Sequence, residues 1–173
     1  MNLKSNANKI NRRDFFKTAG IGATALAIKP DMLFSRNMKR NRKVRIGIIG
    51  GRFGLGFQFQ NHPDCIVEAV SDLIPERRND LIRTYRCSKS YESLEKLVKD
   101  PKVDAVFIAT GAPDHARHVI ASLKAGKHVL CAVPAAMTID ECHEILETVK
   151  KTGLKYMMAE TSVWRERMIS VKQ

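Results

Sequence analysis

Five short, mostly apolar runs alternate with stretches of helical periodicity, and this alternation constrains the fold more than any other feature. The runs are VRIGII (44–49), IVEAVS (66–71), VDAVFIAT (103–110), HVLCAV (128–133) and LKYMMA (154–159). Helices are predicted over residues 75–85, 91–99, 113–125 and 138–152. Strands that are apolar almost throughout and alternate with helices predict a parallel sheet that helices cover on both faces. The expected fold class is an α/β doubly wound parallel sheet.

Cap residues mark the ends of these predicted helices. Pro75 stands where the first turn of a helix tolerates proline. Thr138 and Glu141 have the spacing of a capping box, in which each side chain accepts a hydrogen bond from the other residue's backbone N–H. Gly126 and Gly153 directly follow predicted helices, where a glycine ends a helix most readily.

The first predicted strand runs into a glycine-rich turn, Gly50-Gly51-Arg52-Phe53-Gly54. The turn is one residue short of the G-x-G-x-x-G pattern that binds dinucleotides between a strand and a helix. A tight turn, close approach of the backbone to a diphosphate and a helix start directed at the anion all favour small residues here. Arg52 could add a direct phosphate contact. An ordinary strand-to-helix turn is the alternative interpretation.

An acid, Asp72, follows the second predicted strand, 22 residues after Gly50. A carboxylate at about this distance accepts hydrogen bonds from the adenosine ribose hydroxyls and would repel a 2′-phosphate. Together with the glycine turn it predicts dinucleotide binding, with NAD favoured over NADP. Arg77 and Arg78 follow closely and could weaken that preference. A helix-capping acid is the alternative interpretation of Asp72.

Residues 1–28 have the organisation of a twin-arginine export signal. Arg12-Arg13 is followed by an aromatic pair, a lysine and a short apolar stretch (18–28), in which Ala25-Leu26-Ala27 offers a cleavage site. That stretch is shorter than the roughly 20 residues a membrane-spanning helix needs. We therefore expect export by the twin-arginine machinery to the periplasm or another extracytoplasmic compartment, with residues 29–43 as a basic linker. An amphipathic N-terminal helix is the alternative.

The charge distribution argues against nucleic acid as a partner. Residues 1–43 contain 11 Lys and Arg against 2 Asp and Glu, whereas residues 44–173 contain 19 against 16. Most of the net charge of +12 therefore belongs to the leader and linker, and the predicted folded part is nearly balanced. A basic arm for DNA or RNA is the alternative, but the export signal accounts for the same residues.

The cysteines predict neither a metal site nor a disulfide framework. The four lie at positions 65, 87, 131 and 142, with no C-x-x-C pair and no spacing typical of metal ligands.

Residues 44–165 resemble the N-terminal half of the glucose–fructose oxidoreductase/inositol dehydrogenase/MocA (Gfo/Idh/MocA) family. The segments that carry the resemblance are VRIGIIGGRFGLG (44–56), EAVSD (68–72), AVFIATGAPDHARHVIASLKAGKHVLCAVPAAMT (105–138) and GLKYMMAE (153–160). The resemblance implies a Rossmann-type dinucleotide-binding domain of an NAD(P)-dependent oxidoreductase that acts on a sugar, a polyol or a related small molecule. Members of the family often carry twin-arginine leaders.

The turn and the resemblance together nominate ten cofactor-binding residues: Gly50, Gly51, Arg52, Phe53, Gly54, Asp72, Thr110, Ala112, His115 and Pro134. His115 is expected to line the cofactor cleft, and His118, three residues on, to lie on the exposed surface. A metal site and a general base are alternative interpretations of this pair. A single helical pair without a third ligand is a poor metal site, so none is predicted.

One departure from the family falls at Ala132-Val133-Pro134, where relatives usually have Glu-Lys-Pro. In those proteins the lysine handles a proton or orients the substrate hydroxyl, and valine can do neither. Pro134 is expected to shape the turn, and a cis peptide bond before proline is accessible at low cost. Glu160, after the last predicted strand, is the candidate for a substitute catalytic group.

The family continues into a larger C-terminal domain, so residues 166–173 are predicted to begin that domain. Two functions follow as hypotheses. The first is an exported oxidoreductase represented by its nucleotide-binding domain. The second is a non-catalytic dinucleotide-binding module that lacks the catalytic lysine. A truncated product without a function of its own is a third, and the resemblance also implies a possible homo-oligomer.

Overall fold

A computed structural model describes residues 42–164. In this part of the chain six strands form one parallel sheet in the order β3-β2-β1-β4-β5-β6. The predicted α/β doubly wound parallel sheet is therefore confirmed. The predicted leader (1–28), all of the linker except its last two residues (29–43) and the predicted start of a second domain (166–173) lie outside the described residues.

Within residues 42–164, four α-helices accompany the six strands. The strands are β1 (Val44–Ile49), β2 (Cys65–Ser71), β3 (Ser90–Tyr91), β4 (Ala105–Ile108), β5 (His128–Ala132) and β6 (Tyr156–Ala159). The helices are α1 (Pro75–Tyr85), α2 (Leu94–Leu97), α3 (His115–Lys124) and α4 (Ile139–Thr152). Because all six strands are parallel, their carboxyl ends meet at one edge of the sheet.

The sheet has a core on each face, which explains why its strands read as apolar runs. On one face, residues of α2, α3 and α4 pack against strand side chains such as Val106 and Ile108. On the other face, α1 and the segment between β1 and β2 cover side chains such as Ile48 and Phe107. The side chains of all four of these strand residues are fully buried.

The connection between β1 and β2 contains no α-helix, so the prediction of a helix start after the glycine turn is wrong. Two 3₁₀ turns, Phe53–Gly56 and Phe59–Asn61, take its place. Gly54 and Gly56 lower the helix propensity of this segment, since each glycine in a helix interior costs about 1 kcal/mol relative to alanine.

Aromatic side chains cover the sheet where a helix would otherwise lie. The ring of Phe57 packs 4.4 Å from that of the buried Phe107, and the ring of Phe59 lies 5.2 Å from it. The hydroxyl of Tyr85, at the end of α1, reaches the carbonyl oxygens of Gly54 and Phe57. Burial raises the pKa of Tyr85 to about 12. The hydroxyl therefore stays protonated and donates a hydrogen bond to the segment between β1 and β2, whose only regular structure is its two 3₁₀ turns.

The predicted cap residues agree with the structure. Thr138 and Glu141 form both hydrogen bonds of a capping box at the start of α4. Gly153 ends that helix with a left-handed φ of +66°, and Gly126 follows α3 with φ of +81°. Pro75 is the first residue of α1.

The prediction of a helix over residues 91–99 is wrong at both ends. A two-residue strand, β3, comes first and pairs with the end of β2. The helix α2 is only four residues long, and the Ser93 side chain caps it by accepting a hydrogen bond from the Lys96 N–H. The helix predicted from residue 113 begins at His115, after a 3₁₀ turn over Ala112–Asp114.

None of the helices in residues 42–164 combines the length and the apolar character needed to cross a bilayer.

Candidate functional site

A cleft of about 610 Å³ opens at the carboxyl edge of the sheet, next to the ends of β1 and β4. The strand order reverses between these two neighbouring strands. Open α/β sheets bind ligands at such a reversal, outside the carboxyl ends of the strands. The cleft walls come from the glycine turn, the loop after β2, the start of α2, the loop after β4 and the start of α3.

The two glycines that follow β1 line this cleft and allow the turn to fit closely against its neighbours. Gly50 has φ of +105°, and a Cβ there would lie 2.3 Å from the carbonyl oxygen of Ala109, just after β4. A Cβ on Gly51 would lie 2.7 Å from the Cβ of Arg77, on α1. No other residue type fits at these positions without moving the backbone.

The other turn residues divide between the cleft and the core. Arg52 and Phe53 are exposed and line the cleft. Between residues 42 and 164, the guanidinium of Arg52 has no ion pair or hydrogen bond. Gly54 is buried beneath the cleft, where a Cβ would lie 3.2 Å from the Cγ2 of Ile48. Four of the five predicted turn residues, Gly54 excepted, therefore face the cleft.

Asp72 follows β2 and its carboxylate lies against the glycine turn. One oxygen, Oδ2, accepts a hydrogen bond from the Gly51 N–H at 2.6 Å, and the other, Oδ1, accepts one from the Ile74 N–H at 2.8 Å. Each carboxylate oxygen can accept a further hydrogen bond. The alternative interpretation as a helix cap is not supported, because Ile74 is the N-cap residue of α1 and no side chain caps that helix.

Two apolar residues that sequence reasoning missed, Leu73 and Ile74, form the rim of the cleft beside Asp72. Leu73 is 78% exposed and Ile74 is 39% exposed. Their position directly after a strand-ending acid was the signal that could have found them.

Two of the arginines of α1, Arg77 and Arg78, have different positions. Arg77 lines the cleft, and no hydrogen bond or ion pair of its guanidinium is found among the described residues. Arg78 donates from Nη1 to the backbone carbonyl oxygen of Asp72 at 2.8 Å. Of these two arginines, Arg77 is the one that lies on the cleft, where it could influence the choice between NAD and NADP.

A polar network forms the wall after β4. Thr110, Asp114, Arg117 and His118 all line the cleft. The Nδ1 atom of His118 lies 2.9 Å from the Thr110 Oγ1, and Arg117 donates to the His118 Nε2 at 2.8 Å. His118 is only 7% exposed, so its predicted surface position is wrong. Burial lowers the pKa of His118, and the neighbouring Arg117 lowers it further.

Four predicted cofactor residues lie outside the lining of the cleft: Gly54, Ala112, His115 and Pro134. His115 is buried beneath the cleft wall, with Nε2 3.0 Å from the carbonyl oxygen of Thr110 and Nδ1 2.6 Å from that of Pro134. Pro134 is exposed, and the peptide bond before it is cis. His115 thus links the turns that follow β4 and β5 instead of contacting the cleft.

No proton-transferring side chain stands at the end of β5. Ala132 is buried and Val133 is 42% exposed. Glu160, the predicted substitute, follows β6 and accepts a hydrogen bond from the Ser162 N–H at 2.7 Å through its Oε1. Glu160 is not part of the cleft lining.

Within the described range, no group of three or more His, Cys, Asp or Glu side chains is placed to share a metal ion. The four cysteines are free thiols, and burial raises the pKa of Cys131 to about 12.

The residues of the cleft fit a dinucleotide. The guanidiniums of Arg52 and Arg77 complement phosphate charge. The Asp72 carboxylate complements the hydroxyl pair of a ribose, and Leu73 and Ile74 offer apolar contact to a base. Together with the strand order, these features define a Rossmann-type nucleotide-binding domain.

Comparison with known families agrees with this class. The model described as "Oxidoreductase family, NAD-binding Rossmann fold" matches residues 44–160. The chain belongs to the Gfo/Idh/MocA oxidoreductase family, and its domain is the family's NAD(P)-binding Rossmann domain.

Individual relatives support the same family. The myo-inositol 2-dehydrogenase of Thermotoga maritima is 33% identical over 114 residues, which cover 64% of this chain and 34% of that protein. Glycosyl hydrolase family 109 protein 1 of Bacteroides fragilis is 35% identical over 133 residues, 70% of this chain and 29% of that protein. The structure of an NAD-binding protein from Listeria innocua is 31% identical, with a TM-score of 0.70, and the match covers 76% of this chain and 39% of that one. The chain thus spans about a third of the length of the curated relatives it matches.

Proposed function

We propose that the chain binds NAD in the cleft and serves an oxidoreductase that acts on a sugar, a polyol or a related small molecule. Arg52 and the backbone of Gly50 and Gly51 face the diphosphate, and Asp72 accepts hydrogen bonds from the adenosine ribose. When bound, the nicotinamide accepts or donates a hydride. The name of the myo-inositol dehydrogenase relative supports the substrate class.

The position of the Asp72 carboxylate carries the proposal and favours NAD over NADP. Two backbone N–H groups, those of Gly51 and Ile74, hold the carboxylate beside the glycine turn. Each of its oxygens keeps an acceptor site for a ribose hydroxyl, whereas a 2′-phosphate would place like charges side by side. Arg77 on the same cleft opposes this preference in part.

Calorimetric titration of the full chain with NAD and with NADP tests the cofactor preference. We expect NAD to bind more tightly, and Asp72→Asn to weaken NAD binding while improving NADP binding, because the variant loses the charge and its amide nitrogen cannot accept one of the two backbone hydrogen bonds. Asp80→Asn is the matched control, since Asp80 lies on α1 and is not part of the cleft lining. Failure of both nucleotides to bind, or tighter binding of NADP to the unchanged chain, would contradict the proposal.

The second candidate function is a non-catalytic dinucleotide-binding module, and the end of β5 favours it. Ala132 and Val133 can neither donate nor accept a proton in the position where relatives carry glutamate and lysine. An assay of NADH formation with inositols and simple sugars distinguishes the two functions. If NAD binds but none of these substrates reduces it to NADH, the non-catalytic module is favoured.

Export by the twin-arginine route is part of the proposal, and the paired Arg12-Arg13 in the leader supports it. Fractionation of cells that produce the full chain tests this point. We expect the double change Arg12→Lys and Arg13→Lys to retain the protein in the cytoplasm. The matched change Arg36→Lys and Arg40→Lys, in the linker, should leave export intact. If the unchanged chain and the two double variants show the same distribution between the compartments, export by this route is contradicted.

A further inference from the structure

Two histidines of α3 lie within hydrogen-bond distance of the same residue, Thr110, at two different atoms. His115 Nε2 lies 3.0 Å from the carbonyl oxygen of Thr110, and His118 Nδ1 lies 2.9 Å from its hydroxyl oxygen. Residues three apart on a helix share a face, so both histidine rings on this face of α3 lie beside Thr110. Thr110 follows β4 and lines the cleft.

The tautomer of His118 follows from its contact with Arg117. All N–H groups of a guanidinium are donors, and arginine has no acceptor atom. Because Arg117 Nη2 lies 2.8 Å from His118 Nε2, that ring nitrogen must be the acceptor. The proton of the neutral ring is then on Nδ1, which faces Thr110. Burial and the adjacent Arg117 both lower the pKa of His118 and so maintain the neutral ring.

Arg117 is itself held in place by two acids of the cleft wall. Its Nη1 donates to Glu95 Oε1 at 3.0 Å, and its Nη2 donates to Asp114 Oδ1 at 3.1 Å. These contacts join the start of α2 to the start of α3. Both contacts orient the guanidinium toward the His118 ring.

The consequence concerns the hydroxyl proton of Thr110. Since His118 Nδ1–H donates to the Thr110 Oγ1, the hydroxyl proton is directed away from the ring. No other hydrogen-bond partner of this hydroxyl is found in residues 42–164. The cleft is the open space beside it.

We infer that His118 is a positioning residue, which turns the Thr110 hydroxyl into a hydrogen-bond donor toward an acceptor atom of the bound dinucleotide. The inference rests on the proposed function, because it needs a nucleotide in the cleft. The hydroxyl of Thr110 contacts the ligand, and His118 acts only through that hydroxyl.

A double-mutant cycle in the full chain tests the inference, with the dissociation constant of NAD as the readout. Thr110→Val removes the hydroxyl with little change in shape, and His118→Phe removes the donor while keeping a planar ring. We expect each single change to weaken NAD binding roughly threefold to tenfold, the range expected for loss of one neutral hydrogen bond. His118→Phe should have no further effect in the Thr110→Val background. Thr110→Ser should bind NAD nearly as well as the unchanged chain.

His143→Phe is the matched control, because His143 is exposed on α4 and is not part of the cleft lining. Thermal unfolding without nucleotide shows whether each variant is folded. Nitrogen-15 NMR of the imidazole rings reports the tautomer directly, and we expect the His118 proton on Nδ1 in the unchanged chain. Arg117→Met lacks the donor to Nε2, so we expect its His118 proton no longer to be confined to Nδ1.

The outcomes separate the inference from the proposed function. If the unchanged chain binds neither NAD nor NADP, the proposed function fails. If NAD binds but Thr110→Val or His118→Phe leaves its dissociation constant unchanged, the inference is overturned and the proposed function stands. Equal effects of His118→Phe in both backgrounds, or an Nε2 proton on His118, would overturn it as well.

Discussion

Replacement of Gly50 by alanine should damage the domain more than any other glycine substitution near the cleft. The residue has φ of +105°, where a side chain costs about 1–3 kcal/mol. The new Cβ would lie 2.3 Å from the carbonyl oxygen of Ala109, and overpacking against rigid backbone adds about 1–3 kcal/mol. The expected loss is about 2–6 kcal/mol, a large share of the roughly 5–15 kcal/mol that stabilises a typical domain.

Thermal unfolding and NAD titration of the full chain measure this effect. A loss of that size lowers the unfolding temperature by roughly 10–20 °C, and displacement of the turn should weaken NAD binding as well. Gly56→Ala is the matched control, because no heavy atom lies within 4 Å of its added Cβ and its φ is not positive. We expect Gly56→Ala to change stability by less than about 1 kcal/mol. Similar unfolding temperatures for the two variants would refute this account of the turn.

Three further changes test the cleft and other parts of the domain. Tyr85→Phe should destabilise the domain by about 1–3 kcal/mol in chemical denaturation, because it leaves backbone carbonyls in the aromatic segment without a donor. Arg52→Gln should weaken NAD binding about tenfold at low salt and less at high salt, whereas Arg83→Gln, at an exposed site outside the cleft lining, should have no effect. A hydrogen bond from Lys89 lowers the pKa of Glu68 below its ordinary value of 4.5, so this carboxylate stabilises the fold above that pH. When the free energy of unfolding is measured at decreasing pH, it should therefore fall less below pH 4.5 in Glu68→Gln than in the unchanged chain.

The main strands and the longer helices could be predicted because their signals are local. Both faces of the parallel sheet are buried, so strands such as β4 read as continuous apolar runs in the sequence. Caps such as the Thr138–Glu141 pair depend on residues only three positions apart. The acid Asp72 was found by its distance from the glycine turn, and the structure places the two in direct contact.

The missed elements depend on tertiary contacts. The strand β3 is two residues long and carries no periodicity, and only its pairing with β2 defines it. The segment after the glycine turn was expected to be helical by analogy with the nucleotide-binding pattern. Its glycines and the Phe57–Phe59 spacing instead suit an irregular segment whose rings pack on Phe107.

The positions of His115 and His118 within the site also depend on tertiary contacts. Their spacing in the sequence places both on one face of α3, but it does not say which atoms that face meets. The structure buries both, with His118 at the cleft wall and His115 beneath it. The reversal of their expected positions therefore came from the path of the loop after β4, which the sequence pattern does not encode.

The absence of a helix after the glycine turn changes how this domain can attract a diphosphate. In a Rossmann fold with that helix, the N-terminal N–H groups and the helix dipole supply a fixed partial positive charge. Here the 3₁₀ turn Phe53–Gly56 is too short for such a dipole. Positive charge at the cleft must then come from side chains, and Arg52 and Arg77 are the cleft-lining arginines without an ion pair among the described residues. Binding should consequently depend on individual arginines and on ionic strength more than it would in a domain that retains the helix.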